Sequence, residues 1–142
     1  MKIRSGYRNI VGLLMLGAFL AGCFVPIAYG VYAVYEDATK IKVTVNVKEK
    51  PEVVYEKTLA LIKQRGVAKI TKEDAKEMEA FGVKDGQPAS MKVTSLRGGE
   101  SATLTLTQVK GKDADQQKKD MENLVLSSCK EMGLTCTKEE KK

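Results

Sequence analysis

Ile41, Val43, Val45 and Val47 alternate with Lys42, Thr44, Asn46 and Lys48 in strict period two, and this run constrains the fold more than any other stretch of the chain. Successive strand side chains point to opposite faces, so such a segment is stable with its aliphatic side buried and its polar side wet. The pattern recurs where Ala102, Leu104 and Leu106 share one side and Thr103, Thr105 and Thr107 the other. An antiparallel sheet with one packed and one solvated face follows, and the packed face needs a cover.

Two segments have helical spacing. Pro51 suits a first helical position with Glu52 in the first turn, and Val54, Tyr55, Thr58, Leu59, Leu61 and Ile62 recur every three to four residues until Lys63, Arg65 and Gly66 close the helix. Met121, Leu124, Val125, Cys129 and Met132 form a second apolar stripe, opened by a capping-box pair at Asp113 and Gln116. Gly133 reads as the left-handed residue after that helix, which turns Leu134 back onto Cys129.

Between the helices, Val67 to Thr71 reads as a strand. Lys72 to Ala80 has helix-forming composition behind Thr71 and Asp74, yet Glu77, Glu79, Phe81 and Val83 alternate up to Lys84-Asp85-Gly86, so a strand over 76–83 is the preferred reading. Ser90 to Leu96 and Ala102 to Val109 flank Arg97-Gly98-Gly99-Glu100 as a hairpin. The expected architecture is α+β: an antiparallel sheet of about four to five strands with two helices packed on one face.

The N-terminal residues carry an address. Lys2, Arg4 and Arg8 precede an apolar run from Ile10 to Leu20, and Leu20-Ala21-Gly22-Cys23 closes it with small residues before a cysteine. These residues read as a lipoprotein signal over 1–22, with lipidation at Cys23. The uncharged stretch 10–35 is also long enough to span a bilayer. Against a span stand Gly12, Gly17, Gly22, Pro26 and Gly30 within it, and three tyrosines suited to an interface. Cleavage leaves 120 residues with 21 basic and 18 acidic side chains, a balance of +3, with no basic stripe for nucleic acid. The chain then divides into a lipidated, aromatic membrane-proximal segment at 23–38, a globular domain at 39–136 and a charged tail at 137–142.

Tyr29, Tyr32 and Tyr35 are interaction candidates. Their spacing of three places them on one helical face, whereas Val31, Ala33 and Tyr35 share one face of a strand, and both readings stand. Cys129 and Cys136 remain as an even pair in an oxidising compartment, and a disulfide between them is expected.

Catalysis has little material. The chain has no histidine, hence no imidazole base, no histidine metal ligand and no Ser-His or Cys-His pair. The carboxylates Glu77 with Glu79, and Asp113, Asp115 and Asp120, read as solvated charge and helix-start groups. No cofactor, metal site or catalytic residue is expected.

A lipobox at Leu20-Ala21-Gly22-Cys23, a short Gly/Ala/Tyr segment, the strand Ile41 to Val47, the helix Val54 to Gly66, strands with a Gly-Gly turn and a terminal helix are together similar to a family of small bacterial lipoproteins of unknown function. The resemblance implies an envelope lipoprotein with an open sheet covered by helices. It brings no catalytic residues. Phe24 after the cysteine, instead of the aspartate associated with inner-membrane retention, points to the periplasmic side of the outer membrane. Two roles follow: a structural or protein-interaction lipoprotein that docks on an envelope protein, or a binding module for a small apolar or lipid ligand. The second requires an underfilled cavity near Val45, Leu61 and Leu104.

Overall fold

A computed structural model of the chain describes residues 29–139. The segment 1–22 expected to be a signal, Cys23 expected to be lipidated, and the last three residues of the tail lie outside the described residues. In chain order the elements are β1 (Tyr29–Glu36), β2 (Lys40–Val47), α1 (Pro51–Arg65), β3 (Lys69–Asp74), β4 (Glu79–Lys84), β5 (Gln87–Leu96), β6 (Ser101–Val109), α2 (Ala114–Glu131) and β7 (Thr135–Lys138). The seven strands of the described residues join one sheet in the order β3-β4-β5-β6-β2-β1-β7.

This sheet corrects the expected four to five antiparallel strands: it has seven, and it is mixed, because β7 runs parallel to β1 while the other neighbours are antiparallel. The two additional strands are those with the weakest local signal. In β1 the strand alternation of Val31, Ala33 and Tyr35 competes with the helical spacing of the tyrosines, and pairing with the strongly patterned β2 decides the outcome. β7 is only four residues long. Its position depends on Cys136, which is bonded to Cys129 in the last turn of α2 with Cα atoms 6.1 Å apart.

The strand expected at 67–71 is displaced to Lys69–Asp74, and that at 76–83 to Glu79–Lys84. Asp74 ends β3 by accepting the Glu77 backbone N–H at 3.1 Å. This Asx-type turn removes Glu77 from the strand and separates it from Glu79. The chain re-enters the sheet after Met78, whose φ is 54°.

The alternations of β2 and β6 are realised as drawn. Ile41, Val43, Val45 and Val47 meet Gln108, Leu106, Leu104 and Ala102 in register, all buried on the helix side. Met91 and Val93 of β5 extend this layer, and Val54, Leu59, Ile62, Met121 and Val125 of the two helices close it. One buried polar link joins the helices: the hydroxyls of Thr58 and Ser128 lie 2.5 Å apart. A hydrogen-bonded pair is tolerated in such a core because each hydroxyl satisfies the other.

Both helix ends use the same device. In α2, the Leu134 N–H reaches the Cys129 carbonyl at 2.8 Å and the Gly133 N–H reaches that of Lys130 at 3.0 Å, with Gly133 at φ 74°. This Schellman ending turns the chain back beside its own last turn and aims β7 along β1. Gly30 admits the bridge there: a Cβ on it would stand 2.8 Å from the Cys136 Sγ.

Candidate functional site

The sheet has two edges, and they are treated differently. β3 carries Lys69, Lys72, Glu73 and Asp74, and its register shifts between Ile70 and Lys72. Charge and a bulge together protect an edge from further pairing. At the other edge β7 pairs, among the described residues, only with Tyr29 to Tyr32, and its continuation there is one hydrogen bond from the Glu139 N–H to the Tyr32 carbonyl. Main-chain groups of alternate residues point to the same side, so those of Val34 and Glu36 also point away from β2. The described chain places no strand beside them.

This free half of β1 forms one wall of a groove of about 730 Å³. The opposite wall is the first half of α2 with Asp115, Lys118, Lys119 and Glu122, and Lys138 and Glu139 close one end. Asp113 positions that wall by accepting the Gln116 N–H at 3.0 Å. The capping box is only half formed, since the Gln116 side chain turns along the helix to Asp120. Gln117 clamps the connection from β6: its amide nitrogen donates to the Val109 carbonyl at 3.1 Å and its oxygen accepts from Gly111 at 2.8 Å.

Glu36 fixes the width of the groove. Its carboxylate receives Lys110 and Lys118, each at 2.7 Å, tying the end of β1 to the β6–α2 connection and to α2. Hydrogen bonds from Lys110 and then Lys118 hold its carboxyl at about 2, below the ordinary 4.5. A depressed folded-state pKa contributes stability that is present above the unfolded value and lost as pH falls through the folded one. The expected result is therefore an unfolding midpoint that drops between pH 4.5 and about 2. Glu36→Gln flattens that drop in an acid series of urea melts, and an unchanged profile would contradict the role assigned to the cluster.

The tyrosine candidates separate. Tyr32 is buried, and its hydroxyl donates to Glu122 at 3.1 Å beneath the groove. Burial first, and Glu122 second, raise its pKa. Tyr35 is 52% exposed on the opposite, helix-free face. Tyr29 begins β1, its backbone opposite Thr135. Cys129 and Cys136 form the expected disulfide. Cys23 lies outside the described residues. Asp115 pairs with Lys118, while Asp120 pairs with Lys84 and has its pKa lowered by Gln116 and Lys84.

The helix-free face is the second open surface. Five of the exposed large hydrophobics belong to it: Val31, Tyr35, Phe81, Val83 and Val109. The middle is a threonine field in which Thr44 pairs with Thr105 and Thr94 with Thr103. On the other face, the region named for a ligand is filled, since Val45, Leu61 and Leu104 are all at most 3% exposed. Among the described residues, an apolar hollow bounded by Ile62, Met121, Ala80 and Ala89 measures about 50 Å³.

Local periodicity missed Glu36, Lys118 and Gln117. Glu36 and Lys118 are 82 residues apart, and only the pairing of β1 brings them together. No protein-family model matches this chain, and no curated protein matches it.

Proposed function

We propose that this protein is a lipid-anchored, non-catalytic interaction module of the cell envelope, acylated at Cys23, on the periplasmic side of the outer membrane, which binds an extended segment of an envelope protein along the free half of β1. The single observation that carries this reading is the outward main chain of Val34 and Glu36 beside the α2 groove, which has no strand partner among the described residues. A strand added there continues the sheet, with main-chain hydrogen bonds supplying affinity and groove side chains supplying selectivity. Lys118, Lys119 and Lys138 line the groove together with Glu36, Asp115, Glu122 and Glu139, which suits a polar segment of mixed charge. The address at Leu20-Ala21-Gly22-Cys23 supports the compartment.

A ligand-binding role for an apolar or lipid molecule is less well supported. Ligand pockets are typically about 300–1,000 Å³, and the apolar hollow is about 50 Å³.

The test is Val34→Pro. Proline removes the outward N–H and leaves the β1–β2 ladder, which uses Val31, Ala33 and Tyr35, in place. With a photo-crosslinking side chain at Lys119 in living cells, the expected result is one envelope-protein adduct that Val34→Ala retains and Val34→Pro loses, the two variants melting within a few degrees of each other. An adduct of equal yield in Val34→Pro would refute strand addition.

A further inference from the structure

The helix-free face has a chemistry of its own. Lys40, Lys42, Lys69, Lys72 and Lys92 belong to it by strand alternation, against Asp74 and Glu79. One transverse row crosses six strands as Tyr35, Lys42, Thr107, Ser90, Phe81 and Lys72. The row has an aromatic beside a lysine at each end. Lys72 lies over the Phe81 ring, 5.8 Å from its centre. Tyr35 and Phe81 are four strand steps apart, about 19 Å at the usual spacing, and the threonine field lies between them.

We infer that this face lies on an anionic lipid surface, with the Tyr35/Lys42 and Phe81/Lys72 pairs as its two contact points. The inference rests on lipidation at Cys23. Six residue steps separate Cys23 from Tyr29, and even fully extended they reach about 20 Å, so an acyl chain on Cys23 keeps the start of β1 within that distance of the bilayer.

Charge selects the lipid. Five lysines against two carboxylates attract a negative surface and oppose packing against a second copy of the same face. Tyr35 with Val31 at one end and Phe81 with Val83 at the other are separated by the threonine field instead of joined in one patch. That spacing suits a headgroup plane, where aromatic rings sit at the interface and lysine stems extend along it. The groove opens at the sheet edge between β1 and α2, and Tyr35 borders both it and the helix-free face, while the α2 wall with Lys118, Lys119 and Glu122 stands on the helix side, away from the lipid.

The test uses the full chain, purified from membranes and returned to vesicles of phosphatidylcholine alone or with about one-third phosphatidylglycerol. A fluorophore is attached through Thr105→Cys on the helix-free face or through Glu56→Cys on α1. In phosphatidylglycerol vesicles the Thr105 label is shielded from an aqueous quencher, the Glu56 label is not, and high salt removes the shielding. Each lysine near an anionic surface contributes about fivefold to partitioning, so Lys42→Gln with Lys72→Gln lowers the docked-to-undocked ratio about 25-fold. Equal quenching in both vesicle types, on protein whose intact mass shows acyl chains, overturns the docking alone. Shielding of that acylated protein that appears only when other envelope proteins are added overturns it in favour of an acidic protein surface. An intact mass without acyl chains overturns the anchoring on which it rests.

Discussion

Leu104→Ala will lower the unfolding free energy by about 3–5 kcal/mol, the upper part of the range for truncating a buried leucine. Leu104 is fully buried on β6, paired with Val45 of β2 on one side and Val93 of β5 on the other, in the core layer beneath the helices. Those neighbours are hydrogen-bonded on rigid strands, so they cannot move in to fill the space, and the cavity term adds to the lost transfer energy. Urea unfolding followed by far-UV circular dichroism measures it. The midpoint falls while the slope stays the same. A change below 1 kcal/mol would mean that this layer is not the centre of the fold.

Replacing Cys129 and Cys136 together with alanine removes about 2–3 kcal/mol in the chain-entropy model for so short a loop. The local consequence is larger than the global one. β7 has four residues, pairs among the described residues with β1 alone, and is held where it is by the bridge and the turn at Gly133. Without the bond, the outward amides of Gly30 and Tyr32 lose their protection from hydrogen exchange, while the β2–β6 ladder keeps its own. The free edge of β1 then extends over the whole strand. The same result is expected on reduction of the native protein. Identical exchange at Gly30 and Tyr32 in oxidised and reduced protein would show that β7 holds without the bridge.

The elements with a period of their own were legible in the sequence. β2 and β6 follow from alternation, α1 from Pro51 and its stripe, and the end of α2 from Gly133 followed by Leu134. Asp85-Gly86, where the alternation of β4 stops, forms the two-residue turn into β5, both residues having the positive φ that such a turn requires. β1 was ambiguous because its tyrosines repeat at three, and β7 was invisible because four residues establish no period. That ambiguity reaches the site itself. The groove exists because β1 outruns β7 on one side and faces α2 on the other, a relation between segments about 80 residues apart that no local pattern contains. Glu36 read as one more charge near a turn, and its two lysines become partners only when β1, the β6–α2 connection and α2 come together.

The edge of β1 and the face of the sheet acquire their proposed partners through one premise, that the chain is held at a membrane by lipid on Cys23. The most direct test is the intact mass of the membrane-extracted protein, taken beside a Cys23→Ala variant and with or without reductant. The predicted result is a chain beginning at Cys23 with added acyl mass, absent from the variant, that gains two hydrogens when the Cys129–Cys136 bond is reduced. A mass that retains Met1 and carries no acyl chain would contradict the account.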